Sequence, residues 1–176
     1  MRKLHLDELK KGLSGVTEAF GTFLAEAAMF CLEENGHRGQ AILSVLGDFE
    51  EDFLLIWTDS LTEEVKNSWV DTKEAVEYGA TGIAMLTVLA LTKFDVFRRT
   101  RGGTDYILTK SDNAQLANKL EICYLEISGI LTETSGNTLN MRVSLKEKQV
   151  KKTVDDASAF VIVTEFGQPK TKISKQ

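Results

Sequence analysis

The chain has 176 residues, 43% of them hydrophobic and 27% charged, with a formal net charge of -5. That balance suits one compact domain with a real core, and it excludes both general disorder and a protein that coats nucleic acid by charge alone. Two cysteines, Cys31 and Cys123, are too few for a disulfide framework and belong to no CxxC or Cys/His cluster, so each is expected to pack as a small apolar residue rather than to bind zinc.

The segment Met1 to Asp7 lacks the apolar stretch of a signal peptide. Apolar residues then recur every three and four positions from Leu6 to about Glu34, the pattern of an amphipathic helix. Gly12, Gly15 and Gly21 allow it to be one helix or two pieces, and Asn35-Gly36 ends it. Ala41–Leu46 and Phe53–Trp57 read as two strands of a hairpin joined by the acidic turn 47–52, which is expected to be solvated rather than to hold a cation.

Ser60-Leu61-Thr62-Glu63 has capping-box spacing, in which hydroxyl and carboxylate each satisfy an orphan backbone amide, so a helix is expected to begin there and run to about Leu91. Its end, Ile83–Leu91, is apolar nearly all round and should be buried, yet is far short of the roughly 20 residues that span a membrane. A soluble, cytoplasmic protein without a membrane partner is the expectation. Gly79 and Gly82 mark either a close approach by another element or a bend.

Val96–Arg101 reads as a strand, followed by Gly102-Gly103, which has neither the spacing nor the Lys-Ser/Thr ending of a phosphate loop. Tyr106–Leu108 and Leu120–Ser128 read as two more strands around the polar segment Ser111–Asn118. If they pair about a centre near residues 115 to 116, Asp105 faces Glu126. Like charges opposite each other destabilise a sheet, and a shared divalent cation is a good reason to keep them. A helix follows over about Leu139–Lys152, then a buried strand over Ala159–Phe166 and a basic tail after Gly167 that is expected to be loose.

Charge is distributed unevenly. Residues 1–92 hold 7 Lys and Arg against 16 Asp and Glu, a net -9, whereas residues 93–176 hold 14 against 10, a net +4. The second half can therefore carry a phosphate-facing surface and the acidic first half a protein-facing one. Arg98, Arg99 and Arg101 stand just ahead of Asp105, either meeting a backbone phosphate or forming a solvated edge strand, since alternation sends Arg98 and Arg99 to opposite faces. Trp57 and Trp69 lie in apolar-periodic elements and read as core or interface residues rather than base-stacking platforms, and His5 and His37 are far from the carboxylates in sequence.

From Ser60 onward the order helix, strand, strand, strand, helix, strand, with Asp105 opening the second strand and Glu126 near the end of the third, resembles the PD-(D/E)XK nuclease-like superfamily of restriction-endonuclease and Holliday-resolvase folds. The resemblance covers about Thr62 to Phe166. It implies an α/β restriction-endonuclease-like αβββαβ core over residues 60–167, a mixed sheet flanked by helices. The first 59 residues are an added helix and hairpin, and residues 168–176 a tail.

It further implies that Asp105 and Glu126 bind magnesium or manganese, with Glu77 or Glu74 as a helix carboxylate and Arg98, Arg99 and Arg101 toward nucleic acid. Ser128 stands where the family pattern has its lysine. Some members draw that lysine from the following helix, which makes Lys146 or Lys148 the replacement here and gives Gln149 a resemblance to the glutamine of some exonuclease branches. A second registration uses Glu121 with Cys123 at the lysine position and fits worse. The resemblance implies a metal-dependent nuclease acting on DNA, alone or as a subunit of a DNA-processing or defence assembly. The alternatives are a catalytically silent module that binds a protein or nucleic acid, and a homodimeric scaffold joined through the amino-terminal helix and hairpin.

Overall fold

The computed structural model describes residues 1–111, 121–154 and 157–176. Their strands form one mixed, eight-stranded sheet in the order β1-β3-β2-β8-β7-β6-β5-β4. The strands are β1 (Arg2–His5), β2 (Gln40–Gly47), β3 (Glu51–Ile56), β4 (Val96–Arg99), β5 (Tyr106–Thr109), β6 (Cys123–Ile130), β7 (Ala159–Glu165) and β8 (Lys170–Lys175). A short 3-10 turn spans Leu6–Lys11, and the α-helices are α1 (Glu18–Glu34), α2 (Glu63–Ser68), α3 (Thr72–Leu91) and α4 (Leu139–Thr153). Helix α3 lies over β6 and β7 on one face with α1 packed on it, and α4 covers β6, β7 and β8 on the other.

The first periodic stretch is two pieces. Leu13 and Val16 bridge to each other, and Thr17 then caps α1 by accepting the Phe20 N–H at 3.3 Å. The same loop covers the outer edge of the sheet, where Ser14 accepts the Phe97 N–H at 2.9 Å. Ahead of it, Arg2–His5 forms a parallel strand against β3 that four residues with a single buried apolar side chain, Leu4, do not announce.

The helix expected from Ser60 is displaced and divided. Thr62, not Ser60, accepts the Val65 N–H at 3.3 Å and caps α2, while Glu63 is exposed and pairs with Lys66. The chain breaks at Trp69, whose ring is buried, and Asp71 caps α3 by accepting the Lys73 N–H at 2.9 Å. Burying that indole and gaining a second capped start outweigh the continuity of one helix. Gly79 resolves as a close approach: an added Cβ would lie 3.1 Å from the Ala27 carbonyl and from Ala28 Cα, so the missing side chain lets α1 and α3 touch through their backbones. Helix α3 is long and apolar enough to cross a membrane, but 67% of its apolar window is buried inside the protein.

The tail expected to be loose is a central strand. β8 runs parallel to β2 and antiparallel to β7, joining the amino-terminal hairpin to the rest of the sheet. Lys170-Thr171-Lys172-Ile173-Ser174-Lys175 alternates with period two: Thr171 and Ile173 are buried, Lys170, Lys172 and Ser174 run along the other side, and Lys175 follows on the first side at the exposed strand end. The three lysines mask that alternation in the composition.

Candidate functional site

β5 pairs with β6 as Tyr106↔Leu125, Ile107↔Tyr124 and Leu108↔Cys123, the register that sets residue 105 against residue 126. The polar segment Ser111–Asn118 about which this hairpin was centred lies, apart from Ser111, outside the described residues. Because β5 starts at Tyr106, residues 127–130 of β6 have no β5 partner. Asp105 closes the end of the ladder: its amide donates to the Leu125 carbonyl at 3.0 Å, and its Oδ2 accepts the Ile127 N–H at 2.7 Å.

A cleft of about 460 Å³ opens at this gap. Helix α3 lines it with Lys73, Glu77 and Tyr78, the β4–β5 side with Arg99, Asp105 and Tyr106, β6 with Ser128 and Gly129, and α4 with Arg142 and Lys146. Four cations against two carboxylates make the lining suited to a polyanion. Burial pushes the Tyr106 phenol up to about 12, so it stays a neutral hydroxyl.

Glu126 is 2% exposed and does not itself line the cleft, lying behind the Lys146 side chain that does. Its Oε1 accepts two bonds from α4, from the Lys146 ammonium at 2.6 Å and from the Gln149 amide at 3.0 Å. Burial raises its pKa above the ordinary value and the Asp105 charge adds to the rise, while Lys146 and Gln149 oppose it. A buried carboxylate facing both a like charge and an ammonium is the kind of perturbed group found at functional sites.

Residues 142, 146 and 149 follow at intervals of four and three, so they share one face of α4 beside the buried Leu139, Val143 and Val150. Lys148 does not join them. Two residues from Lys146 is about 200° around a helix, and Lys148 is exposed beside Met141, Ser144 and Leu145. Of the three arginines only Arg99 lines the cleft, because alternation along β4 turns Arg98 away and Arg101 lies beyond the strand end. Glu77 lines the cleft and Glu74, on the neighbouring helix face, does not.

Arg142 is the residue that sequence reasoning passed over. Its Nη1 donates to Ser128 Oγ at 3.4 Å and its Nη2 to Asn137 Oδ1 at 2.9 Å, so a guanidinium held at both ends stands beside the serine. Its spacing from Lys146 and Gln149 was the available signal. Glu121, the alternative acidic residue, is exposed and pairs with Lys93 and Lys110, away from the cleft.

A magnesium or manganese ion here would have at most the two carboxylates of Asp105 and Glu126 as protein ligands. Among the described residues no three Asp, Glu, His or Cys side chains converge as a ligand group, so Glu77 does not close on the Asp105 and Glu126 pair. Magnesium is commonly held by one or two carboxylates, completing its shell with water and substrate phosphate, which these donors permit. No protein-family model, curated protein or solved structure matches this chain.

Proposed function

We propose that this chain is a divalent-metal-dependent, nuclease-like protein that acts on DNA phosphodiesters, with α4 supplying the cation that β6 lacks at Ser128. The observation that carries the reading is the 2.6 Å contact between Glu126 and Lys146, a lysine that lines the cleft together with Asp105, Arg99 and Arg142. The order α3, β4, β5, β6, α4, β7 supports it too, with β4, β5 and β6 a consecutive antiparallel meander and β7 parallel to β6, in keeping with an αβββαβ restriction-endonuclease-like core.

When bound, magnesium or manganese polarises the phosphodiester and acidifies a coordinated water. The chain's own groups do the rest. Asp105 and Glu126 offer hard oxygen donors, and Lys146 opposes the rise that burial imposes on the Glu126 pKa. Arg142 and Arg99 present forked donors that match phosphate oxygens and neutralise charge gathering on them. Gln149 fixes the orientation of the glutamate by bonding the same oxygen as Lys146.

A second reading, a silent module that grips a DNA backbone without cutting it, is favoured by one observation. Glu126 Oε1 is already committed to two α4 side chains, and no third acidic ligand stands by among the described residues. Incubation of supercoiled plasmid with the protein and magnesium separates the two readings. Nicking that disappears in chelator and in Asp105→Ala supports the nuclease. Plasmid that is retarded in a gel but left intact by the wild-type protein supports the silent module.

A further inference from the structure

Tyr78 belongs to two neighbourhoods at once. It lines the cation-rich cleft with Arg99, Arg142 and Lys146, and on its other side its ring meets Phe23 edge-on at 4.8 Å and Phe20 at 6.3 Å between centroids. Phe20 and Phe23 lie nearly parallel, 19° apart in plane, and Trp69 braces Phe23 from below at 4.8 Å. Phe23 is 38% exposed, Phe20 and Tyr78 are half-buried, and Trp69 is buried. An aromatic ridge on α1 and α3 thus runs continuously into the cleft.

We propose that this ridge stacks the unpaired bases of a single-stranded DNA whose backbone passes through the cleft; the inference rests on the phosphodiester reading of that cleft. A strand carries two chemistries side by side, charged phosphates and flat apolar bases, and the protein places their complements side by side in the same way. Lys73, Arg99, Arg142 and Lys146 face the phosphates, and the rings of Tyr78, Phe23 and Phe20 face the bases. Grooves that track single strands without reading sequence combine these two features, because every base offers a π-face.

A duplex keeps its bases inside and offers the ridge nothing to stack on, so the exposed Phe23 ring and the half-buried rings beside it select for unpaired substrate. The acidic neighbours do not close the path. Glu26 is held by the Trp69 indole, which donates to its Oε1 at 2.9 Å, and Glu77 lies one turn from Lys73 on the same helix face.

Fluorescence anisotropy in chelator tests this without cleavage, using a fluorescein-labelled oligodeoxythymidine and a blunt hairpin duplex of equal length. Wild-type protein should bind the single strand roughly tenfold or more tightly than the duplex. Phe23→Leu combined with Phe20→Leu keeps apolar volume but removes the ring faces, and should weaken the single strand by about tenfold while leaving the duplex within about twofold.

Phe23→Tyr, which retains a stacking face, should preserve wild-type affinity and serves if the leucine variant unfolds. Equal affinity for both forms, or a leucine variant that folds and binds the single strand as before, overturns the inference. So does a change in self-association on Phe23→Leu without a change in DNA affinity, which would mark the ridge as a contact between copies of this chain. Ring-dependent single-strand binding with no magnesium-dependent cutting upholds the ridge and sinks the nuclease. Cutting that ignores the rings does the reverse.

Discussion

The ammonium of Lys146 lies 2.6 Å from Oε1 of Glu126, a carboxylate that the sheet and α4 leave 2% exposed. The pair joins the third strand of the meander to the helix after it, and beside it the Ile127 N–H donates to Asp105 Oδ2, tying β6 to the residue that opens β5. Each partner has a different role in stability.

Glu126 makes the folded state weaker as the pH rises. Its folded pKa is raised, so between the unfolded and folded values the native protein binds more protons than the unfolded chain. Its contribution is intact below the ordinary glutamate range, around pH 4, and is lost as the pH climbs through the raised value. Glu126→Gln, whose amide oxygen still accepts from Lys146, should match the wild type in urea denaturation near pH 4 and exceed it increasingly toward pH 7. Lys146→Met should do the opposite, costing roughly 1–3 kcal/mol at neutral pH by leaving the carboxylate short of a partner, with the loss shrinking in acid. Parallel curves across that range for either variant would contradict this account of the pair.

Gly129 sets how closely α3 approaches the site. A Cβ there would stand 2.5 Å from the Val76 carbonyl and 2.6 Å from Val76 Cγ1, next to Glu77 on the cleft wall. Gly129→Ala should cost roughly 1–3 kcal/mol by overpacking and should move Lys73 and Glu77 outward. Gly136→Ala, where nothing lies within 4 Å, is the control. Thermal melts of the two variants should separate by several degrees, and coincident melts would show that α3 yields without cost.

β8 makes the carboxyl end essential to folding. Removing residues 168–176 takes away the strand between β2 and β7, and the shortened chain should lose its cooperative melt by circular dichroism. The single change Ile173→Ala, at a side chain 1% exposed, should cost roughly 2–5 kcal/mol. A truncated chain that melts at the wild-type temperature would contradict this placement of β8.

The elements best read from sequence were those whose pattern is unambiguous. Phe53–Trp57 and Ala159–Phe166 carry enough β-branched and aromatic residues to be strands wherever they pack, and the apolar run to Leu91 could only be a buried helix end. β8 was hidden because only two of its six side chains, Thr171 and Ile173, are fully buried, and its lysines resemble a solvated tail. The break between α2 and α3 was hidden because it depends on burying Trp69, a tertiary event.

At the site, the Asp105 and Glu126 register followed from counting residues about one turn. Arg142 did not, because its value comes from Ser128 and Asn137, which α4 meets only in space. Choosing Lys146 over Lys148 needed the phase of α4 on the sheet, which the buried Val143 and Val150 fix.

A metal bound by Asp105 and Glu126 should raise the melting temperature. Ligand binding to the folded state alone contributes about 2.7 kcal/mol at one hundred times the dissociation constant. Magnesium or manganese should therefore shift the melt of the wild-type protein and not that of Asp105→Asn. An equal shift in both would place the ion elsewhere.

The central claim is that α4 supplies through Lys146 the positive charge that β6 lacks at Ser128. Its most direct test is the initial rate of magnesium-dependent DNA cleavage by Lys146→Ala beside Lys148→Ala, with folding of each checked by its melt. The account predicts a loss of about a hundredfold or more for Lys146→Ala, the size expected when a preorganised electrostatic group is removed, and an unchanged rate for Lys148→Ala. Cleavage that survives Lys146→Ala, or a wild-type protein that cuts nothing in magnesium or manganese, would contradict it.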